Sequence, residues 1–78
     1  MPRFFFHVYD DVIVLDDEGM ILADEGAARA AALAGARALI CDTVRKGRIS
    51  LGHRIEVKDE AGATVVDLSF AEAVKIER

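Results

Sequence analysis

Cysteine is nearly absent from this 78-residue chain: Cys41 stands alone, so no internal disulfide can form. It lies inside a helical run rather than a loop, and no Cys/His set has zinc-ligand spacing. A basic excess is lacking too. The net charge of −4 favours solubility and works against a phosphate backbone, which needs a basic face. No charge-free apolar run reaches the roughly 18 residues of a membrane helix, so no membrane partner is expected. The opening Met1-Pro2-Arg3-Phe4 leads into the apolar run Phe4-Phe5-Phe6, too short for a secretory signal. A cytoplasmic location is the expectation. There is no glycine-rich phosphate loop, no activated nucleophile and no recognisable metal set, so neither a cofactor nor an enzymatic activity is expected.

What is present is an ordinary globular mixture, 53% hydrophobic and 31% charged, with one proline. It makes one domain over residues 1–78. A chain of this size buries only roughly 60–65% of its unfolded surface. One small core supplies about 3–5 kcal/mol, a margin that small domains widen with disulfides, metals or self-association. With the first two disfavoured, self-association is the expected route.

Residues 24 to 46 hold the clearest signal. Eight of these 23 residues are alanine, joined by Leu33, Leu39, Ile40, Cys41 and Val44. Asp24 is a good N-cap, Arg45 and Lys46 suit the C-terminal dipole, and Gly47 supplies the left-handed stop. Projected at about 100° per residue, the helix carries two apolar stripes. Ala28, Ala31, Ala32, Gly35 and Leu39 make a flat one suited to close approach of a sheet. Leu33, Ile40 and Val44 make a bulkier one, flanked by Arg29 and Arg37, at the sheet margin or against a partner.

Strand periodicity frames the helix. Residues 3 to 9 alternate Phe4, Phe6 and Val8 on one face with Phe5, His7 and Tyr9 on the other. Asp10-Asp11 makes a turn, Val12 to Leu15 returns, and Asp16-Asp17-Glu18-Gly19 turns again. Met20 to Leu22 read either as a short third strand or as a bulged continuation of the second. Beyond the helix, residues 49 to 58 contain a strand with His53, Ile55 and Val57 inward and Arg54, Glu56 and Lys58 outward. Asp59-Glu60-Ala61-Gly62 closes a hairpin with residues 64 to 70, where Val66, Leu68 and Phe70 point inward. Ser69-Phe70-Ala71-Glu72 has capping-box spacing, predicting a short helix to about Ile76. The order predicts an α+β two-layer fold: an antiparallel sheet from two hairpins, with one long helix across one face (ββαββ).

The opening Met-Pro-Arg-Phe-Phe-Phe-His-Val, the Asp16-Asp17-Glu18-Gly19 turn and the alanine-rich helix resemble a family of short uncharacterised proteins common in alphaproteobacteria such as rhizobia and methylobacteria. The Arg54-Ile55-Glu56-Val57 and Leu68-Ser69-Phe70-Ala71-Glu72-Ala73-Val74 segments share the likeness, which spans nearly the whole chain. Ser69 departs from it, since members often carry proline there, so the start of the last segment is where the likeness is weakest. The resemblance implies a bacterial domain of unknown function and carries no activity or site residues.

Candidate chemistry competes throughout with plain structural roles. Asp10, Asp11, Asp16, Asp17 and Glu18 could hold a divalent cation on two adjacent turns. They lack the alternating spacing and distal glutamate of a calcium loop, and turns use aspartate for backbone reasons. His7 and His53 would meet only if their faces coincide, and no orienting partner is evident. His7 packed at an interface would make association pH-sensitive. Cys41, near a helix C-terminus, reads as packing rather than as a nucleophile. Arg29, Arg37, Arg45, Lys46 and Arg48 could contact phosphates, and Phe4, Phe5, Phe6 and Tyr9 could stack bases, but no basic residue interleaves those aromatics.

Two functional classes follow. The favoured one is a non-catalytic protein-interaction module that self-associates as a homodimer or binds another protein, using Phe5, His7, Tyr9, Leu33, Ile40 and Val44. The alternative is a nucleic-acid-associated or antitoxin-like regulator, with nucleic acid the weaker expectation.

Overall fold

The computed structural model describes residues 1–77. Its elements run β1 (Arg3–Tyr9), β2 (Ile13–Val14), β3 (Met20–Ile21), α1 (Glu25–Arg45), β4 (Arg54–Lys58), β5 (Thr64–Ser69) and α2 (Phe70–Ala73). The strands form one antiparallel sheet in the order β2-β1-β4-β5, with β3 also pairing β1. This is the α+β layering expected, and the two hairpins join through β1 and β4. No helix among the described residues is long and apolar enough to cross a membrane.

The long helix begins where its cap dictates. Asp24 is extended and its Oδ1 accepts the N–H of Ala27 at 2.8 Å. At the other end Gly47 takes φ +86° and donates to the carbonyl of Val44 at 2.9 Å. Glycine suits this left-handed stop because it has no Cβ to clash. The buried row is Ala28, Ala32, Ala36 and Ile40, spaced four residues apart on one face. Three methyl-sized side chains let α1 lie close against β4 and β5, its main partners in the sheet.

The core is formed by Phe4, that helical row, Ile55, Val57, Val66, Leu68, Phe70 and Ala73. Alternation in β4 and β5 is as predicted, with Ile55, Val57, Val66 and Leu68 buried beneath the helix. Asp59 Oδ1 accepts from the N–H groups of Ala61 and Ala63, both at 2.9 Å, and so organises the intervening turn.

The capping box at Ser69 forms in full: the Ser69 Oγ accepts from Glu72 N–H, and Glu72 Oε1 accepts from Ser69 N–H. The helix it starts is shorter than predicted. It ends at Ala73, because Val74 is already extended at φ −135°, ψ 154°. Arg37 of α1 donates from Nε to the Ala73 carbonyl at 2.7 Å, satisfying an acceptor at the helix end.

Both readings of residues 20 to 22 contain part of the answer. Phe6 turns its N–H toward the β2 side, so Phe4 and Val8 do the same by the two-residue repeat. Val8 pairs Val14, Phe4 pairs Met20, and Leu22 N–H donates to Pro2 O at 3.0 Å. β2 and β3 therefore run along the same edge of β1, interrupted by the turn at 15–19. They are two short strands on one line.

Candidate interaction surface

Asp16 bridges that interruption. Its Oδ2 accepts the N–H of Phe6 at 3.1 Å, and its Oδ1 accepts those of Glu18 and Gly19 at 3.1 and 3.0 Å. Its own N–H donates to Nδ1 of His7 at 3.0 Å, which places the imidazole proton on Nε2. Hydrogen bonds from Gly19, Phe6 and Glu18 hold the Asp16 carboxyl below the ordinary carboxylate range, more than offsetting its partial burial. Gly19 closes the turn at φ +75°.

The rest of the acidic cluster disperses. Asp10 Oδ1 accepts from Val12 N–H at 2.9 Å. Asp11 meets the guanidinium of Arg48, which draws its pKa down, and lies 3.6 Å from Nε2 of His53. Asp17 and Glu18 are exposed. Among the described residues no three His, Cys, Asp or Glu side chains are grouped as for a metal ion.

The outer face of the sheet, away from α1, differs from the expected apolar patch. Phe5, His7 and Tyr9 are each half-buried within the chain itself. Their cross-strand neighbours are Lys58, Glu56 and Arg54. Arg54 lies over the Tyr9 ring at 4.2 Å and reaches Asp67 Oδ1 at 3.2 Å. The Tyr9 hydroxyl donates to Glu56 Oε1 at 3.2 Å, and Thr64 donates to Glu56 Oε2 at 3.0 Å. Desolvation, then the Glu56 hydrogen bond, raise the Tyr9 pKa. Burial works to raise that of Glu56, but bonds from Thr64 and Tyr9 outweigh it and the carboxyl ends below its ordinary value. Phe5 is covered differently, its ring edge lying beside Gly19. Long charged side chains and a turn thus shield three residues that alternation alone leaves bare.

The helical candidates divide. Ile40 is buried in the core and Leu33 packs partly against it, so neither forms a free second stripe. Their stripe rotates toward the sheet because the row at 28, 32, 36 and 40 faces it. Val44 stays exposed and, with Gly47, Arg48 and Ile49, lines a shallow depression. Cys41 is exposed rather than packed. His7 and His53 do not meet: His7 is on the outer face, while His53 makes an edge-on contact with Phe70 at 5.6 Å between centroids.

The largest concentration of exposed apolar side chains lies where no site was expected. Val12, Ile13, Val14 and Leu15 are 66%, 64%, 55% and 63% exposed, and Met20 and Ile21 about half. β2 ends the sheet, beyond the strands that α1 mainly covers. Val14 lies opposite Val8, so its N–H and C=O face β1, and those of Ile13 and Leu15 turn outward. Four successive apolar residues between acidic turns were the sequence signal. Read only as a returning strand, the run hid that both its faces and one edge stay open.

The chain belongs to the family described as a domain of unknown function (DUF6894), which matches residues 3–71. No curated protein and no solved structure matches it.

Proposed function

We propose that this domain is a non-catalytic protein-interaction module that associates through the β2–β3 edge of its sheet. The observation behind this reading is the run Val12–Leu15, exposed by more than half at every position, whose centre Ile13–Val14 is the terminal strand β2. Outward N–H and C=O groups there can be satisfied by an added strand, and apolar side chains on both faces can be covered by it. The association has two forms. In the self-association expected from the sequence, two copies pair their edges about a two-fold axis; in the other form, a different protein supplies the strand. A cytoplasmic, alphaproteobacterial setting belongs to the same reading.

Absence of catalysis is supported by the dispersal of the candidate groups. His7 and His53 point to opposite faces, and Cys41 sits on the exposed side of α1. The nucleic-acid alternative is weakened because three of its five basic residues, Arg37, Lys46 and Arg48, are each turned to a partner within the chain.

The test compares Ile13→Lys with Phe5→Lys. Solution mass by light scattering follows the pure chain, and partner recovery follows a tagged chain expressed in its own cells. Association of either kind should be lost with Ile13→Lys and kept with Phe5→Lys. The reverse pattern, or indifference to both, would overturn the reading.

A further inference from the structure

The open edge is bracketed by charge of one sign. Asp10 and Asp11 precede Val12–Leu15, and Asp16, Asp17 and Glu18 follow. Among the described residues only Asp11 has a basic partner, Arg48. Resting on the interaction reading above, we infer that the β2 edge receives an extended segment of a different protein, apolar at its centre and flanked by lysine or arginine, rather than a second copy of this chain.

The backbone defines the shape of the occupant. Ile13 and Leu15 offer their N–H and C=O groups outward in the spacing of a β ladder. A helix or a small molecule would leave those groups unmatched, whereas an extended strand takes all four. The side chains define its centre. Val14 projects on the face of Val8, and Ile13 on that of Tyr9, so both faces of an added strand meet apolar neighbours.

Charge then separates the two candidate occupants. In antiparallel self-pairing outward-facing residues must stand opposite one another, so a pair centred on Val14 sets Ile13 opposite Leu15, Asp11 opposite Asp17 and Asp10 opposite Glu18 at both ends. Centring the pair on Ile13 sets Asp10 opposite Asp16, and parallel pairing staggered by one residue sets Asp10 beside Asp11 and Asp16 beside Asp17. Like charges directly opposed on adjacent strands are destabilising, and such residues guard natural edges against self-pairing. A segment with basic flanks turns each of these oppositions into an attraction. The far edge of the sheet offers no equivalent site. On β5 the apolar Val66 and Leu68 face the helix, and the exposed positions are Thr64 and Asp67.

The probe is a short fluorescein-labelled peptide, Lys-Lys-Val-Thr-Val-Thr-Val-Lys-Lys, titrated with the full chain and followed by anisotropy. Its comparators carry proline at the central valine, or glutamate in place of every lysine. Ile13→Pro is the matching variant of the chain. It removes one outward N–H and leaves the Val14–Val8 pair intact, as an edge position permits; Ile13→Lys serves should that variant not fold by circular dichroism.

Expected are saturable binding of the basic-flanked peptide and roughly tenfold weaker binding after any of these changes. Rising salt should weaken it as well. Equal binding of the proline peptide would reduce the contact to charge alone and overturn the inference. A dimer that Ile13→Pro dissociates and the peptide does not displace would overturn it too, while leaving the interaction reading standing. A monomer that ignores every peptide would overturn the inference, while the interaction reading would then stand or fall on partner recovery with Ile13→Lys.

Discussion

His7 and Asp16 form the joint on which the first hairpin turns. The Asp16 N–H donates to His7 Nδ1 at 3.0 Å, while its carboxylate takes N–H groups from Phe6, Glu18 and Gly19. One side chain here replaces the ladder that β2 and β3 fail to complete. It links the outer face of β1 to the open edge, so loosening it should be felt in both.

Asp16→Ala should lower stability by about 1–3 kcal/mol, since three N–H groups lose a charged acceptor at a half-buried site. Urea unfolding would show a lower midpoint with an unchanged slope. The pH dependence has a definite sign. Because the folded-state pKa of Asp16 is depressed, its stabilisation is complete above the unfolded value near about pH 4 and is lost as pH falls through the folded value. Asp16→Asn should flatten part of that acid limb. An unaltered limb would mean that other carboxylates, Asp11 or Glu72, carry it.

Two glycines should respond oppositely to alanine. At Gly19, with φ +75°, an added Cβ would sit 2.8 Å from Arg3 Cγ and 3.0 Å from Phe4 O, so Gly19→Ala should destabilise by about 1–3 kcal/mol. At Gly35, inside α1, the same atom would lie 3.7 Å from Ile55 Cδ1, an ordinary contact. Gly35→Ala should stabilise by about 0.5–1 kcal/mol through helix propensity. Thermal melts of the two variants, run beside the parent, would decide it. A loss at Gly35 would mean that the helix lies closer to β4 than this geometry has it.

Tyr9 is the single tyrosine, so its ionisation can be read directly from ultraviolet absorbance. Burial and the bond to Glu56 should place its midpoint above the ordinary value near about 10. Glu56→Gln should bring it down by removing a negative neighbour. A midpoint at or below that of free tyrosine would show the ring unshielded.

Cys41 should react with a thiol reagent in the folded protein, without denaturant, because its side chain is exposed. The rate should change little on unfolding. Protection of the native thiol would place residue 41 in an interface of the solution state.

The strands, the capped helix and the hairpin at Asp59–Gly62 were legible because each depends on neighbours in sequence. Alternation places Ile55 and Val57 on one face, Asp24 caps the helix it precedes, and Ser69 with Glu72 builds its box within one turn. The face of α1 was only partly legible. Alanine on nearly every side gives weak periodicity, so the sheet chose the row ending in Ile40 by packing.

Sequence by itself thus determined the α+β order, the element boundaries to within a residue or two in most places, and the presence of surplus apolar surface. Tertiary structure alone decided where that surplus lies. Phe5 and Tyr9 are covered because β4 brings Arg54, Glu56 and Lys58 beside them, and the 16–19 turn folds against Phe5. Val12–Leu15 stay bare because α1 lies mainly over β4 and β5, short of the last strand. Exposure is a property of what long-range pairing sets alongside a residue, and a local pattern carries no record of it.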